Sequence, residues 1–595
     1  MTGSAAQTRP TAVVVDAQVA ERLAYALRCA TISHEPPDIA STTQQGAVLS
    51  AQSDRESTEQ TGTGSTRQAD TPRTGAASIE QSTTGSILQR DAEFPERPSA
   101  GSTAQSVIGP TSQSDTGSTG QTGTGSGQAD TARTGAAPVE QSAAGSLGRR
   151  DAESTERPST GSARQADATE TSDREFVRLA AHLEQSFPLV HAELELERFG
   201  HSRLYRWAGV EPEHVSVILL AHQDVVPVDD PRRWTHPPFA GVVDDEFIWG
   251  RGAIDDKSRL IAILEAVESA LAAGIRPRHT IYLAFGHDEE VFGDDGAVRM
   301  AQRLRESGVR ADLLLDEGGV ILDGVADGID RPVASIMVGE KGYATVRLSV
   351  SAVGGHSSMP GKQTAVGRIA RAVGRIQDHP MPLRLTPVVS DMVARLRRVM
   401  PEYRRRLLGF ARLARPVITR MLAARPQTEA MVRTTTAPTV IRGGIKPNVL
   451  PQQAEALVNF RILPGDSVAS VLEHCRKVVR DTDVRIELVG MTSEPSPGKP
   501  PGPAFDLIAD LAETVVPGIA VTTGIVPGAT DSRHYDDLAT TRCNFAPIVL
   551  TQADVETIHG TDERISLVNY ARLIEFNRRL IDQLAAPPPT PGADA

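Results

Sequence analysis

The stretch AFGHDEEVFG, residues 284–293, closes a run that reads as a buried strand, HTIYLAFG (279–286), and closes it with four ionisable side chains, His287, Asp288, Glu289 and Glu290. β-Branched and aromatic residues dominate the run, so the charges fall where the strand stops. Burying four such groups without partners is costly. Either they form a solvated strand end, or they face a cation.

The grammar on either side is that of a layered α/β domain. HVSVILLAHQDVVPV (214–228) reads as a buried strand running into a polar loop. SRLIAILEAVESALAAG (258–274) reads as a helix ended by Gly274, DGAVRMAQRLRESG (295–308) as a second helix, and ADLLLDEGG (311–319) as another strand. Alternating strands and helices predict a three-layer α/β/α catalytic domain around a mixed sheet, with ligands at the carboxyl ends of the strands. REFVRLAAHLEQSFPLVHAELELERFG (174–200) supplies a helix and a strand ahead of it.

After Glu340 the pattern changes. YATVRLSVSAVGG, TAVGRIARAVGRIQ, TVIRGG, EALVNFRIL, SVASVLEHCRKVV and VRIELVG read in turn as strand, helix, strand, strand, helix and strand. That order predicts a ferredoxin-like α+β domain over about 341–490, inserted as a lid or dimerisation domain into a catalytic domain made of 1–37, 173–340 and 491–586.

Two segments stand outside these domains. From 38 to 172 the chain is Ser, Thr, Gly, Gln and Ala with few large apolar residues, and EQTGTGSTRQADTPRTGAASIEQSTTGS at 59–86 returns as GQTGTGSGQADTARTGAAPVEQSAAGS at 120–146. Such units lack the apolar face that stacking needs, so a disordered low-complexity insertion is expected there, and a disordered tail at 587–595.

Composition limits the function. The chain has 595 residues and a net charge of −13, without the overall basic field that nucleic-acid binding requires. Its three cysteines, Cys29, Cys475 and Cys543, are widely spaced and form no C-x-x-C pair, which argues against a disulfide framework or a thiolate zinc site. No segment approaches 18 uninterrupted apolar residues and none has a signal-peptide core, so a cytoplasmic location is expected. The arginine-rich stretch 394–426 mixes Leu, Met, Phe and Ile with its charges. It reads as a helical excursion packing on the protein or a partner, with contact to a membrane surface as the alternative.

Five stretches carry candidate chemistry: AHQDVV with His222 and Asp224, GRGAIDDKS with Asp255, GHDEEVFG with Glu289 and Glu290, LLDEGG with Asp316, and ETIHGTDE with His559. Imidazole plus carboxylate without sulfur suits zinc or a related divalent ion. One tetrahedral ion would leave ligands over, whereas two ions sharing a bridging carboxylate use about five.

Taken together, LLAHQDVVPV, WTHPPFAGVVDDEFIWGRGAIDDKS, FGHDEEVFG, LLLDEGG, EKGYATVRLSVSAVGGHSSMP, RTTTAPTVIRGGIKPNVLPQQAEALVNFRILPGD, GATDSRHY and IHG resemble the co-catalytic zinc metallohydrolases that include aminoacylase, carnosine dipeptidase, glutamate carboxypeptidase and carboxypeptidase S. The resemblance is strongest to the carboxypeptidase S and N-fatty-acyl-amino-acid hydrolase branch. It implies His222 and Asp316 as ligands of one zinc, Glu290 and His559 as ligands of the other, and Asp255 as the bridge. It further implies Asp224 as the carboxylate orienting His222 and Glu289 as the general base.

For the inserted domain, the resemblance implies His356 as a donor to the oxyanion and Asn448 and Arg461 as substrate contacts, Arg461 pairing with a free carboxylate. It makes PGATDSRHY, with Gly528 and Ser532, a substrate-facing loop. In dimeric relatives the histidine crosses the dimer, so a homodimer is one assembly it allows. The implied activity is an amidohydrolase or carboxypeptidase acting on small N-acyl amino acids or short peptides. A strict dipeptidase and a non-catalytic binding domain on the same fold are the alternatives.

Overall fold

The computed structural model describes residues 15–34, 160–324, 329–402, 405 and 415–587. Most of the 38–172 insertion and nearly all of the 587–595 tail lie outside the described residues.

The chain enters through the helix Ala17–Arg28, capped by the Asp16 side chain, which accepts the amides of Gln18 and Val19. A second helix, Thr160–Ser186, lies beside it. The helix begins thirteen residues ahead of the expected domain start at 173, and adding turns to an anchored helix costs far less than nucleating one. Ser172 Oγ donates to the Ile32 carbonyl at 2.7 Å, and the Ala30 amide donates to Glu175 at 3.2 Å. The two flanks of the insertion therefore meet.

The strands follow as β1 (Glu195–Phe199), β2 (Ser202–Trp207), β3 (Glu211–His222), β4 (Val242–Val243), β5 (Phe247–Trp249), β6 (His279–Gly286), β7 (Ala311–Asp316), β8 (Ile321–Leu322) and β9 (Val333–Glu340). The small domain adds β10 (Gly342–Ser351), β11 (Gly355–His356), β12 (Thr435–Gly443), β13 (Val449–Leu450), β14 (Gln453–Ile462) and β15 (Arg485–Ser493). The chain then returns as β16 (Ala520–Val526), β17 (Ala539–Asn544), β18 (Val549–Leu550) and β19 (Arg564–Ser566).

The large sheet runs β1-β2-β6-β3-β7-β17-β9-β8-β18, with β16 paired to β9. It is mixed: β3 is parallel to β6 and β7, whereas β2 runs antiparallel to β6. Period-two alternation gives it two apolar faces. Val217, Leu219 and Ala221 share one core with Leu260, Ile263 and Leu264 of the helix Lys257–Ala272 and with Leu573 and Leu580 of the helix Leu567–Leu584. Ile218 and Leu220 share the other with Met300 and Leu304 of the helix Ala297–Glu306. The catalytic domain is thus α/β/α.

The small sheet runs β12-β14-β10-β15, antiparallel throughout. With the helices Ala365–Asp378 and Val468–Val479 packed on it, this is the ferredoxin-like order. One segment inside the 341–490 range departs from that division. The helix Pro387–Val399 buries Val388, Val389 and Met392 in the core of the large sheet, and Thr523 on β16 donates to the Val388 carbonyl at 3.2 Å. The arginine-rich excursion therefore starts on the catalytic domain; its residues 403, 404 and 406–414 lie outside the described residues. No helix among the described residues is long and apolar enough to cross a membrane.

Candidate metal centre

Parallel register brings the candidate residues to one edge of the large sheet. β3 ends on His222 opposite Gly286, the last residue of β6, and Leu219 faces Leu315 near the end of β7. Asp255 stands two residues before the helix Lys257–Ala272, and Glu289 and Glu290 occupy a short turn three residues beyond β6. Gly286 and Gly293 let that turn close over Asp531: a Cβ on either would lie 2.5 Å from an Asp531 carboxylate oxygen.

Asp255 is the hub. Its Oδ1 lies 2.9 Å from His222 Nε2 and its Oδ2 lies 3.0 Å from His559 Nε2, which is also 3.2 Å from Glu290 Oε1. One carboxylate thus offers a separate oxygen to each imidazole. His222, Asp255 and Glu317 converge with one ligand atom each within 4.8 Å of the others, and so do Asp255, Glu290 and His559. These are two three-ligand sets joined through Asp255, the donor chemistry of a pair of zinc-like ions. Glu289 forms a further group with His222 and Glu290.

One expected ligand, Asp316, lies outside these groups. Asp316 points elsewhere: its Oδ2 accepts the Ser532 amide at 2.9 Å and its Oδ1 the Glu317 amide at 2.8 Å. As the last residue of β7 it takes one face of the strand, and Glu317, the next residue, turns to the opposite side and joins His222 and Asp255.

Asp224, fully buried, organises the centre from behind. Its carboxylate accepts the amides of Glu289 at 3.2 Å and Glu290 at 3.1 Å. His222 Nδ1 donates to the Asp224 carbonyl at 3.0 Å and lies 3.4 Å from its Oδ1, which leaves Nε2 facing Asp255.

The electrostatics are those of a cation site. Burial, opposed by His222 and reinforced by Asp531, Glu290 and Asp255, pushes the Glu289 carboxyl well above the usual range. Burial, then Asp255 and Glu289, does the same to Glu317. Hydrogen bonds to Asp255 and Glu290 raise His559 to about 10. So many carboxylates around two imidazoles are relieved by positive charge at their centre. A separate group, Glu211, His214 and His279, lies at the start of β3, where Arg278 already pairs with Glu211 at 3.2 Å.

The predicted substrate residues divide. His356 and Asn448 come together on the exposed β11-β13 ribbon, where the Ser357 amide donates to the Asn448 carbonyl at 3.2 Å and His356 Nδ1 lies 2.7 Å from Ser358 Oγ. Neither makes a contact with the metal-centre residues in this structure. Arg461 lies on β14 with its guanidinium 4.8 Å over the Tyr343 ring, and Tyr343 packs 5.4 Å from Phe292 in the metal-centre turn. Arg533 covers the same Phe292 at 5.6 Å.

Ser532 is spent inward, its hydroxyl 2.6 Å from Thr530 Oγ1 and 3.1 Å from Asn544 Nδ2. Gly528, half-buried, has nothing within 4 Å of an added Cβ. Two residues escaped the sequence reading, Glu317 and the buried Glu563. Both lie inside the motifs LLDEGG and ETIHGTDE, one place after Asp316 and four places after His559.

Comparison with known proteins agrees with this fold. The chain is 37% identical over 423 residues to the probable carboxypeptidase S-like 2 of Dictyostelium discoideum, covering 70% of this chain and 81% of that protein. It is 37% identical over 429 residues to the N-fatty-acyl-amino acid synthase/hydrolase PM20D1 of Xenopus tropicalis, covering 70% and 83%. A crystal structure of an M20 family metallo-carboxypeptidase from Sulfolobus solfataricus shares the fold at a TM-score of 0.52 and 18% identity, over 69% of this chain and 94% of that one. The model of peptidase family M20/M25/M40 matches residues 218–583, and with the ligand sets around Asp255 it makes this chain a metallopeptidase of that family.

Proposed function

We propose that the enzyme hydrolyses an amide bond next to a free carboxylate, in N-acyl amino acids or in short peptides shortened from the C-terminal end. The observation that carries this reading is Asp255, with one oxygen 2.9 Å from His222 and the other 3.0 Å from His559. His222 and Glu317 would hold one ion and Glu290 and His559 the other, and zinc is the metal their donor set suits. Two such ions, when bound, supply Lewis acidity at the scissile carbonyl, acidify a water and offset the crowded carboxylates.

The chain's own residues supply the rest. Glu289 would take a proton from the attacking water and return it to the leaving nitrogen. Arg461, half-buried and with no carboxylate within ion-pair distance among the described residues, is left free to fork onto a substrate carboxylate. His356 and Asn448, exposed on their ribbon, reach the substrate through closure of the small domain or from a second copy of the chain. The names of the Dictyostelium and Xenopus relatives support the carboxypeptidase and N-acyl-amino-acid readings. The apolar residues of the helix Pro387–Val399 are used against the large sheet, which favours packing over membrane contact. Three unpaired, buried cysteines fit a reducing cytoplasm.

The test is metal analysis of zinc-replenished protein together with a hydrolysis screen over N-acyl amino acids, dipeptides and the C-terminal amides of both. Two ions per chain and cleavage of the free acids only are expected. Equal cleavage of acids and amides would remove the role of the carboxylate.

A further inference from the structure

Glu563 belongs to no ligand set, yet it is fully buried, four residues after His559. Four N–H groups converge on its two oxygens. Oε1 accepts the amides of Ile254 at 2.8 Å and Asp255 at 3.1 Å; Oε2 accepts the amide of Gly252 at 3.1 Å and Arg251 Nη1 at 2.7 Å. The contact is reciprocal. The Gly250 amide donates to the Glu563 carbonyl at 3.0 Å, and Arg251 Nη2 donates to the Gly560 carbonyl at 3.0 Å. Residues 250–255, which end on the bridging carboxylate, and residues 560–563, which follow the second imidazole, are thereby held as one unit.

The need for such a clamp is visible at His559. Its side chain is half-exposed, and its backbone sits at φ 58, a left-handed conformation that a non-glycine residue adopts at a cost. No strand or long helix holds this residue directly: the short helix Gln552–Val555 precedes it and β19 follows at Arg564. A buried carboxylate with its hydrogen-bonding capacity filled is a rigid anchor, because leaving any of these donors unmet would be costly.

We infer that Glu563 is a positioning residue for the metal centre: it fixes the separation of Asp255 and His559 and so sets the affinity of the Asp255–Glu290–His559 ligand set. It acts through these two residues and touches neither substrate nor ion. The inference rests on the dinuclear reading above.

The experiment uses Glu563→Gln in the full-length protein. The amide has the same shape but only one accepting oxygen, so whichever way it turns, two N–H donors face an NH2 group. Zinc is titrated into metal-free protein against a chromophoric chelator, and cobalt is added in parallel to follow the visible absorption of each site. The expected result is an ion in the Asp255–Glu290–His559 set bound about 10- to 100-fold more weakly, with the cobalt spectrum of that site altered, while the other ion, which shares Asp255 but not His559, is weakened less. Thermal melting of the metal-free proteins shows whether the variant folds. If it does not, Arg251→Met, which removes one of the four donors to Glu563 together with the contact to the Gly560 carbonyl and leaves the three backbone donors, undergoes the same titration with a smaller shift in the same site.

Two wild-type affinities in a folded Glu563→Gln protein would overturn the inference. An equal loss at both sites would also overturn it, since that is general loosening and not positioning of one ligand set. The wild-type stoichiometry judges the dinuclear reading, and the difference between variant and wild type judges Glu563.

Discussion

The Asp316 carboxylate accepts the backbone amide of Ser532 at 2.9 Å, tying the end of β7 to the short 3-10 helix Asp531–Leu538 that precedes β17. Its neighbour Glu317 turns to His222 and Asp255. The two acidic residues therefore differ in what they support. Glu317→Gln should lose one ion per chain and reduce turnover by more than about 100-fold, since even residues behind the ligands cost 10- to 100-fold in such sites. Asp316→Asn should keep both ions and lose about 1–3 kcal/mol of stability, because its NH2 group would face an amide donor. Metal analysis and urea unfolding of both variants check this; the opposite pattern would restore Asp316 as the ligand.

Glu289 receives no ligand role in this scheme although its carboxylate clusters with His222 and Glu290. Replacing its carboxylate by an amide removes the proton acceptor with little change in shape. Glu289→Gln should hold two ions at wild-type affinity and lose turnover by about 10²–10⁴-fold. Retained turnover in the metal-loaded variant would take the base role away from it.

Most of the fold was legible because the signals were local. Val217 to Ala221 alternate between two apolar cores, and the small domain announces its strand and helix order through periodicity alone. His222, Glu289 and Glu290 stand at or just past strand ends, whereas Asp255, two residues before the helix Lys257–Ala272, and His559, in a turn after the short helix Gln552–Val555, rest on their motifs and the family resemblance. The choice between Asp316 and Glu317 was not legible, since it depends on which way one residue turns at the end of β7 and on a partner at position 532. Glu563 was out of reach for a similar reason: its meaning lies in N–H groups of residues 252–255, and an isolated glutamate carries no sign of them. The placement of the helix Pro387–Val399 on the large sheet is a tertiary fact, and its sequence pattern shows only that one face is apolar.

Arg461 lays its guanidinium over the Tyr343 ring, which itself packs against Phe292 in the turn that carries Glu289. Burial and the nearby Arg533 disfavour its charge, which an incoming carboxylate would relieve. Arg461→Leu should lower kcat/KM for free-acid substrates by about 10- to 100-fold, the scale of a hydrogen bond to a charged group, and leave the slow cleavage of C-terminal amides unchanged. A variant that discriminates acid from amide as well as the wild type would assign carboxylate recognition elsewhere.

His534 gives a pH dependence that is separate from the ligands. Burial and then the adjacent Arg533 charge, opposed by the Phe292 carbonyl 3.1 Å from Nε2, lower the imidazole from 6.5 to about 4. The unfolded chain therefore binds this proton more readily than the folded one. The stabilisation is fully present above pH 6.5 and is lost as pH falls toward 4. Between pH 7 and pH 5 the loss comes to about 2 kcal/mol. In metal-free protein, urea unfolding at these two pH values should show a difference that His534→Gln reduces by about that amount. An unchanged difference would mean that His534 is already protonated in the fold.

The contacts Ile32–Ser172 and Ala30–Glu175 show how little chain is needed to connect the flanks of the low-complexity insertion. The helix Thr160–Ser186 starts about 18 Å before Ser172, at 1.5 Å per residue, so a connector must span roughly that length. A flexible linker reaches about 5–6 Å times the square root of its residue number, and about a dozen residues suffice. Replacing residues 40–158 by eight Gly/Ser residues should leave two ions bound, kcat/KM within about twofold, and stability unchanged or raised by up to about 2 kcal/mol, because shortening a long connector reduces its closure entropy only slowly. Loss of metal or of cooperative unfolding in that variant would show that the deleted segment contributes to the fold, contrary to what its Ser, Thr, Gly and Gln composition predicts.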